Sequence, residues 1–293
     1  MIRDVTDADL QGVRAFLEKH RDASLFLLSN LAVNGPRAGA HPFSGTFRLV
    51  EEDGRIAAVF CLTRRGNLLV QASGRDDLAQ AILGACDDQP MQVCGIVGEW
   101  PIAQALWRLL CADPGFEPAD GEQEVGKDAL YGRTLTDADV IAPVGRYEIR
   151  LLGTHDFAQW EPLNTAYVTE LKLPLNVALQ QRRDEFDERA RGRRWWGLLD
   201  AGELVAIGGL NAVYGRLGQI GGVYTRPDRR RRGLSGALLR ALMSDCRVLH
   251  RFERLVLFTG EGNVAARAAY ESLGFEYLGA FGLLLGSRRG YSE

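Results

Sequence analysis

The sequence has no apolar run near the roughly 18–20 residues that a membrane-spanning helix needs, so no membrane association is expected. Cysteine is sparse and odd in number: five residues (Cys61, Cys86, Cys94, Cys111, Cys246), none in a CxxC spacing. That pattern excludes a disulfide framework and a thiolate zinc site, and it predicts buried small hydrophobes instead. Histidine is as scarce, with four residues (His20, His41, His155, His250) at no ligand spacing, so no metal is expected. The first ten residues, MIRDVTDADL, lack the apolar stretch of a signal peptide because acids interrupt it at once. The expected compartment is the cytoplasm.

What is present is an ordinary globular composition, 46% hydrophobic and 25% charged. The net charge of −3 is unevenly spread. Residues 1–140 carry 13 basic and 21 acidic side chains, residues 141–293 carry 22 and 17, so the halves stand at −8 and +5. This asymmetry predicts two units with different tasks, and an anionic ligand on the second.

The order of elements supports two units. In the first half, Thr6 or Asp7 caps a helix that carries Leu10, Val13 and Phe16-Leu17 at helical spacing, and Leu25 to Leu31 reads as a second, more buried helix. A hairpin follows, Phe47–Val50 and Ile56–Leu62 around Glu52-Asp53-Gly54. Then come a strand at Gln92–Val97, a helix at Pro101–Leu110, a loop over Ala112–Lys127 and a strand at Leu130–Leu135. Residues 137–146 read as a linker. The second half opens alike, with a strand at Tyr147–Leu152, helices across Asp156–Arg191 and a hairpin of Trp195–Leu199 with Leu204–Ala212. A strand at Leu217–Thr225, a helix at Leu234–Cys246, a strand at Arg254–Thr259, a helix at Asn263–Leu273 and a strand at Tyr277–Leu285 complete it. The expected fold class is mixed α/β, with units at 1–136 and 147–293.

The informative stretch runs from Gly222 to Gly236, GVYTRPDRRRRGLSG. A strand ends near Thr225, Pro227 stops it, and a helix begins near Leu234. Strand, glycine-bearing turn and helix N-terminus together present free backbone N–H groups to a phosphate. Gly233 and Gly236 permit close approach, Ser235 adds a small hydroxyl, and Arg229 to Arg232 add positive charge. Some 30 residues on, Asn263 opens a helix, Tyr270 lies two turns along its face, and Gly274 ends it.

Arg230-Arg231-Arg232-Gly233-Leu234-Ser235 resembles the Gln/Arg-x-x-Gly-x-Gly/Ala signature of the GNAT (GCN5-related N-acetyltransferase) superfamily, with Ser235 where Gly or Ala is usual. Asn263 to Phe275 resembles the family's downstream Asn-x-x-Ala-x-x-x-Tyr-x-x-x-Gly-Phe pattern. The resemblance implies acetyl-CoA as cosubstrate. It implies that Arg230 to Gly236 hold the pyrophosphate, that Val223, Tyr224 and Thr225 pair with the pantetheine arm, and that Asn263 and Tyr270 face the same cleft. Tyr270 would be the general acid for the departing sulfur. Glu170, beside Tyr167, is the leading candidate for general base, with a water relay through Tyr224 and Gln219 as the alternative. Trp195 and Trp196 are expected to alternate between core and cleft.

Residues 1–140 contain no counterpart of either motif, so the first half is expected to be a degenerate GNAT-like copy. The acceptor is expected to be a primary amine of a small molecule, drawn by acids such as Glu161, Glu170, Asp184 and Glu185. A non-catalytic acyl-CoA sensor on the same fold is the competing reading, although a sensor has no need of Tyr270. Nucleic acid is not expected, since the arginines lack interleaved aromatics in a net acidic chain. Acyl-chain preference and oligomeric state stay open.

Overall fold

The computed structural model describes residues 1–119, 127–140, 147–171 and 177–288. In chain order it contains β1 (Ile2–Asp4), α1 (Leu10–Lys19), α2 (Leu25–Asn34), β2 (Gly45–Glu52), β3 (Arg55–Thr63), β4 (Asn67–Gln71), α3 (Ala79–Gly84), β5 (Gly95–Glu99), α4 (Trp100–Cys111), β6 (Phe116–Pro118) and β7 (Asp128–Thr134). It continues with β8 (Glu148–Leu151), α5 (Phe157–Glu170), α6 (Leu179–Arg191), β9 (Trp195–Asp200), β10 (Glu203–Tyr214), β11 (Leu217–Thr225), α7 (Leu234–Val248), β12 (Arg254–Gly260), α8 (Val264–Ser272) and β13 (Glu276–Arg288). No helix among the described residues is long and apolar enough to cross a membrane.

Contacts divide the chain into two compact units. The first takes Met1–Leu130, Phe258–Gly262 and the stretch from Leu278 onward; the second takes Tyr131–Leu257 and Asn263–Tyr277. The division does not follow a single cut at 137–146, of which residues 141–146 lie outside the described part. The first unit contains the strand order β1-β2-β3-β4-β5-β13, with β4 and β5 parallel and the other pairs antiparallel. The second has β8-β9-β10-β11-β12, with β11 and β12 parallel and the preceding pairs antiparallel, and β7 follows β12. The two orders match position by position. In both, residues near the far end of the partner half of the sequence supply the sixth strand.

Most elements stand where hydrophobic periodicity puts them. α1 buries Val13 and Leu17. α2 is apolar enough to bury Leu25, Leu27, Leu28 and Leu31 at once. Several elements of the first unit depart from the expectation, the short opening strand β1 among them. β4 (Asn-Leu-Leu-Val-Gln) is too short and too uniformly apolar to show alternation, because both of its faces are covered. α3 has only six residues. The expected loop over Ala112–Lys127 contains β6, which pairs with β13 through Phe116 to Pro118, while residues 120–126 lie outside the described part. β5 starts at Gly95 rather than Gln92; an added Cβ would meet the Asn67 side chain and Leu285 at Gly95, and the Val70 carbonyl at Gly98.

Both units have large cores. In the first, Phe60, Val70, Ile82, Ile96 and Leu106 pack together without solvent contact. In the second, an aromatic cluster of Phe157, Trp160, Phe186, Trp195 and Tyr224 fills the space between α5, α6 and the sheet.

Candidate active site

β11 and its following turn are the centre of the second unit. The parallel ladder between β11 and β12 consists of Leu217 with Arg254, Gly218 with Leu255 and Gln219 with Val256, and then stops. β11 continues for six more residues without that partner. On its other edge, Ile207 pairs with Tyr224 and Gly209 with Gly221, so β11 has one residue too many and bulges at Gly222-Val223. Gly222 adopts φ +63°, and a Cβ there would meet the Trp195 ring at 2.9 Å. Both facts demand glycine. The Gly221-Gly222 pair inside a strand was the sequence signal for this bulge, and motif spacing alone passed over it.

The chain then turns through Pro227–Arg229 and enters α7 at Leu234. Arg231 has φ +62° and Gly233 φ +72°, two left-handed residues flanking Arg232. Alternation of left- and right-handed residues is the backbone pattern that can turn successive N–H groups toward one side. The first helical bond of α7 runs from Ala237 N to Gly233 O at 3.0 Å, so the amides of Leu234, Ser235 and Gly236 lie ahead of it. Nothing crowds a Cβ at Gly233, so φ alone selects glycine there.

The four arginines divide their tasks. Arg229 lies 3.3 Å from Asp200 and 3.5 Å from Asp228. Arg230 reaches Glu170, 2.6 Å away. Among the described residues, neither Arg231 nor Arg232 has a carboxylate within ion-pair distance. An anion at this turn would meet two arginines that have no carboxylate partner among the described residues, and the positive end of a fifteen-residue helix.

Asn263 caps α8, accepting a hydrogen bond from Ala266 N at 3.1 Å. Its amide nitrogen is not used by that cap. Tyr270 is 9% exposed and packs near Tyr131 and Phe275, with ring centroids 6.4 and 6.2 Å away. Burial, together with the nearby Tyr167 hydroxyl, raises its pKa above the ordinary tyrosine value, which keeps it protonated at neutral pH. Tyr131 holds the helix that carries it: its hydroxyl donates to Glu271 at 2.7 Å and accepts from Arg267 Nε at 3.0 Å.

Trp195 and Trp196 do alternate across β9, but both are buried. Trp196 donates to Asp245 of α7 at 2.8 Å, while Trp195 packs against Trp160 of α5 with centroids 5.0 Å apart. Gln219 is 2% exposed, its Nε2 bonded to the Ile220 carbonyl and its Oε1 without a partner. The acids expected to attract the acceptor are otherwise engaged. Glu161 is paired with Arg182 at 2.8 Å, and Asp184 and Glu185 accept from Gln180 and Gln181 one turn earlier. No cluster of metal-ligating side chains occurs among the described residues.

The corresponding place in the first unit is built differently. β4 pairs with β5 from Asn67–Gly95 to Val70–Gly98, four of its five residues, so the strands stay closed. Only the six-residue α3 follows.

Comparison with known proteins bears on the fold. Residues 158–275 match the family model described as Acetyltransferase (GNAT) family. No curated protein matches the sequence. Among solved structures, the GCN5-related N-acetyltransferase from Sphaerobacter thermophilus superimposes with a TM-score of 0.57 at 16% identity, covering 100% of this chain and 97% of the other. An acetyltransferase of the GNAT family from Colwellia psychrerythraea gives 0.53 at 14% identity, covering 97% and 99%. A tandem GNAT protein from the clavulanic acid biosynthesis pathway gives 0.52 at 17% identity, covering 100% and 99%. The chain is thus a tandem GNAT fold. Its residues 158–275 match the acetyltransferase (GNAT) family model.

Proposed function

We propose that the protein is an acetyl-CoA-dependent N-acetyltransferase whose one catalytic centre lies in the second unit and whose acceptor is a primary amine of a small molecule. The observation that carries this reading is the coincidence at β11: a strand released from its parallel partner leads directly into a left-handed turn and a long helix N-terminus. In this reading the amides of Arg231 to Gly236 and the Arg231 and Arg232 side chains hold the pyrophosphate. The exposed edge of β11 at Val223 to Thr225 pairs with the pantetheine arm. The Asn263 amide nitrogen, left over by the cap, bonds the same arm.

The chemistry is attack of a neutral amine on the thioester carbonyl, with a thiolate leaving. Backbone N–H of the bulged strand stabilises the developing oxyanion, and the Tyr270 hydroxyl gives the leaving sulfur its proton. The raised pKa of Tyr270 suits an acid that must stay protonated. Glu170 carries a full ion pair with Arg230, which suits a carboxylate that binds positive charge better than one that removes protons. Gln219 and Tyr224 of β11 are the candidates for relaying the amine proton through water.

Calorimetry with acetyl-CoA, read beside thiol release over a panel of amines, tests the proposal. One-site binding weakened in Arg231→Ala, and amine-dependent thiol release lowered about a hundredfold in Tyr270→Phe, are expected. Tight acetyl-CoA binding with no thiol release for any amine would instead favour a sensor.

A further inference from the structure

Glu170 is the last residue of α5, and its Oε2 accepts from Arg230 Nη2 at 2.6 Å. The same guanidinium donates from Nε to the Thr225 carbonyl at 3.0 Å and lies over the Tyr224 ring, 5.3 Å from its centroid. Tyr224 is 7% exposed and is braced edge-on by Tyr167, with centroids 6.2 Å apart. A carboxylate, a carbonyl oxygen and an aromatic face therefore converge on one point. All three attract positive charge. The point opens to solvent, since the Glu170 and Arg230 side chains are 51% and 40% exposed. Ion pairs this exposed hold weakly, so the arginine can leave at small cost.

Arg230 belongs to the turn read above as the pyrophosphate cradle, and a doubly charged phosphate group competes well with one carboxylate for a guanidinium. Among the ion pairs of the described residues, Glu170 takes its cation from that turn, whereas Glu161 is matched by Arg182 and Asp187 by Arg183. Thr225 lies two residues beyond Val223, roughly 7 Å along an extended strand toward the phosphate end. A cation held there is separate from a nitrogen attacking beside Val223.

We propose that Glu170, the Thr225 carbonyl and the Tyr224 ring form a cation subsite for the acceptor, filled in this structure by Arg230. The acceptor is accordingly an amine that carries a second positive charge, such as a diamine or a guanidino-amine. One end is held as the ammonium or guanidinium while the other, neutral, attacks the thioester. Movement of Arg230 to the pyrophosphate uncovers the subsite, so acyl donor and acceptor bind synergistically. The inference rests on the transferase reading for its second half only, because the cation subsite can be measured without acetyl-CoA.

The test uses the full-length protein with 1,4-diaminobutane as probe. By calorimetry without acetyl-CoA, the diamine should bind Arg230→Ala about tenfold more tightly than wild type, and the gain should vanish in the Arg230→Ala/Glu170→Gln double variant. In thiol release with acetyl-CoA, wild type should prefer 1,4-diaminobutane to n-butylamine by about tenfold in kcat/KM, and Glu170→Gln should abolish that preference. Equal binding of the diamine by wild type and Arg230→Ala would overturn the subsite. So would a diamine preference that survives Glu170→Gln, or wild-type turnover of both amines at the same rate. Absence of acetyl-CoA binding would sink the transferase reading, yet the first measurement would still decide the subsite.

Discussion

Burial acts on two acidic groups in this protein with opposite consequences. At Tyr270 it favours the neutral phenol, the form a general acid needs. The alkaline limb of the pH–rate profile that belongs to this residue should therefore lie above about pH 10, the ordinary tyrosine value. Loss of activity at lower pH that disappears in Tyr270→Phe would contradict this. At Asp128, burial in the first unit pushes the carboxyl up to about 6, only partly offset by the Leu283 N–H at 3.3 Å. The folded state then keeps a proton that the unfolded chain gives up, so stability falls as pH rises from about 4 to about 6 and is level beyond. The loss is on the order of 3 kcal/mol. Asp128→Asn should remove that slope in denaturant titrations run between pH 4 and 7, and an unchanged slope would show that another group causes it.

The elements of the second unit work by interruption. β11 bulges at Gly222-Val223, leaves β12 after Gln219, and ends in a turn with two left-handed residues. Each interruption frees backbone groups that a regular sheet would consume. Replacing Gly233 by Ala separates conformation from space, since no atom lies within 4 Å of the added Cβ while φ is +72°. We expect a stability loss of about 1 kcal/mol from the backbone alone. Calorimetry should show acetyl-CoA binding weakened as well, because relaxing φ turns the amides away from a common point. A variant that loses stability and keeps full affinity would mean that the turn does not hold the phosphates.

At the scale of the whole molecule, the two units repeat one strand order, yet only one is open. The β4–β5 ladder is closed along nearly all of β4, whereas β11–β12 closes over a third of β11. One acetyl-CoA per chain is the expected calorimetric stoichiometry, and a value of two would show that the first unit opens. The units also do not correspond to two consecutive halves of sequence. Phe281 and Leu284 of β13 are buried in the first unit, with exposures of 2% and 1%, and pair there with β5. A chain cut after Tyr277 loses those side chains and bares the edge of β5. It should unfold in its first unit at lower denaturant than the full chain. Coincident transitions in the two chains would overturn this.

Periodicity and local chemistry made much legible in the sequence alone. The helix N-terminus at Leu234, the hairpins, the Asn263 cap and the arginine–glycine turn could all be read because their causes lie within a few residues of one another. The GNAT resemblance rested on those local features and on their order. Other features depend on partners distant in the chain. β4 is hidden because burial on both faces erases alternation. The membership of β13 in the first unit is set by which sheet edge its apolar residues meet. The pairing of Glu170 with Arg230 joins residues 60 apart in sequence, and the closure of β4 on β5 is a matter of register rather than composition. Sequence determined most of the elements and set an arginine–glycine turn ahead of a helix N-terminus; tertiary structure decided which strands part and which charges meet, because those contacts exist only once the chain has folded back on itself.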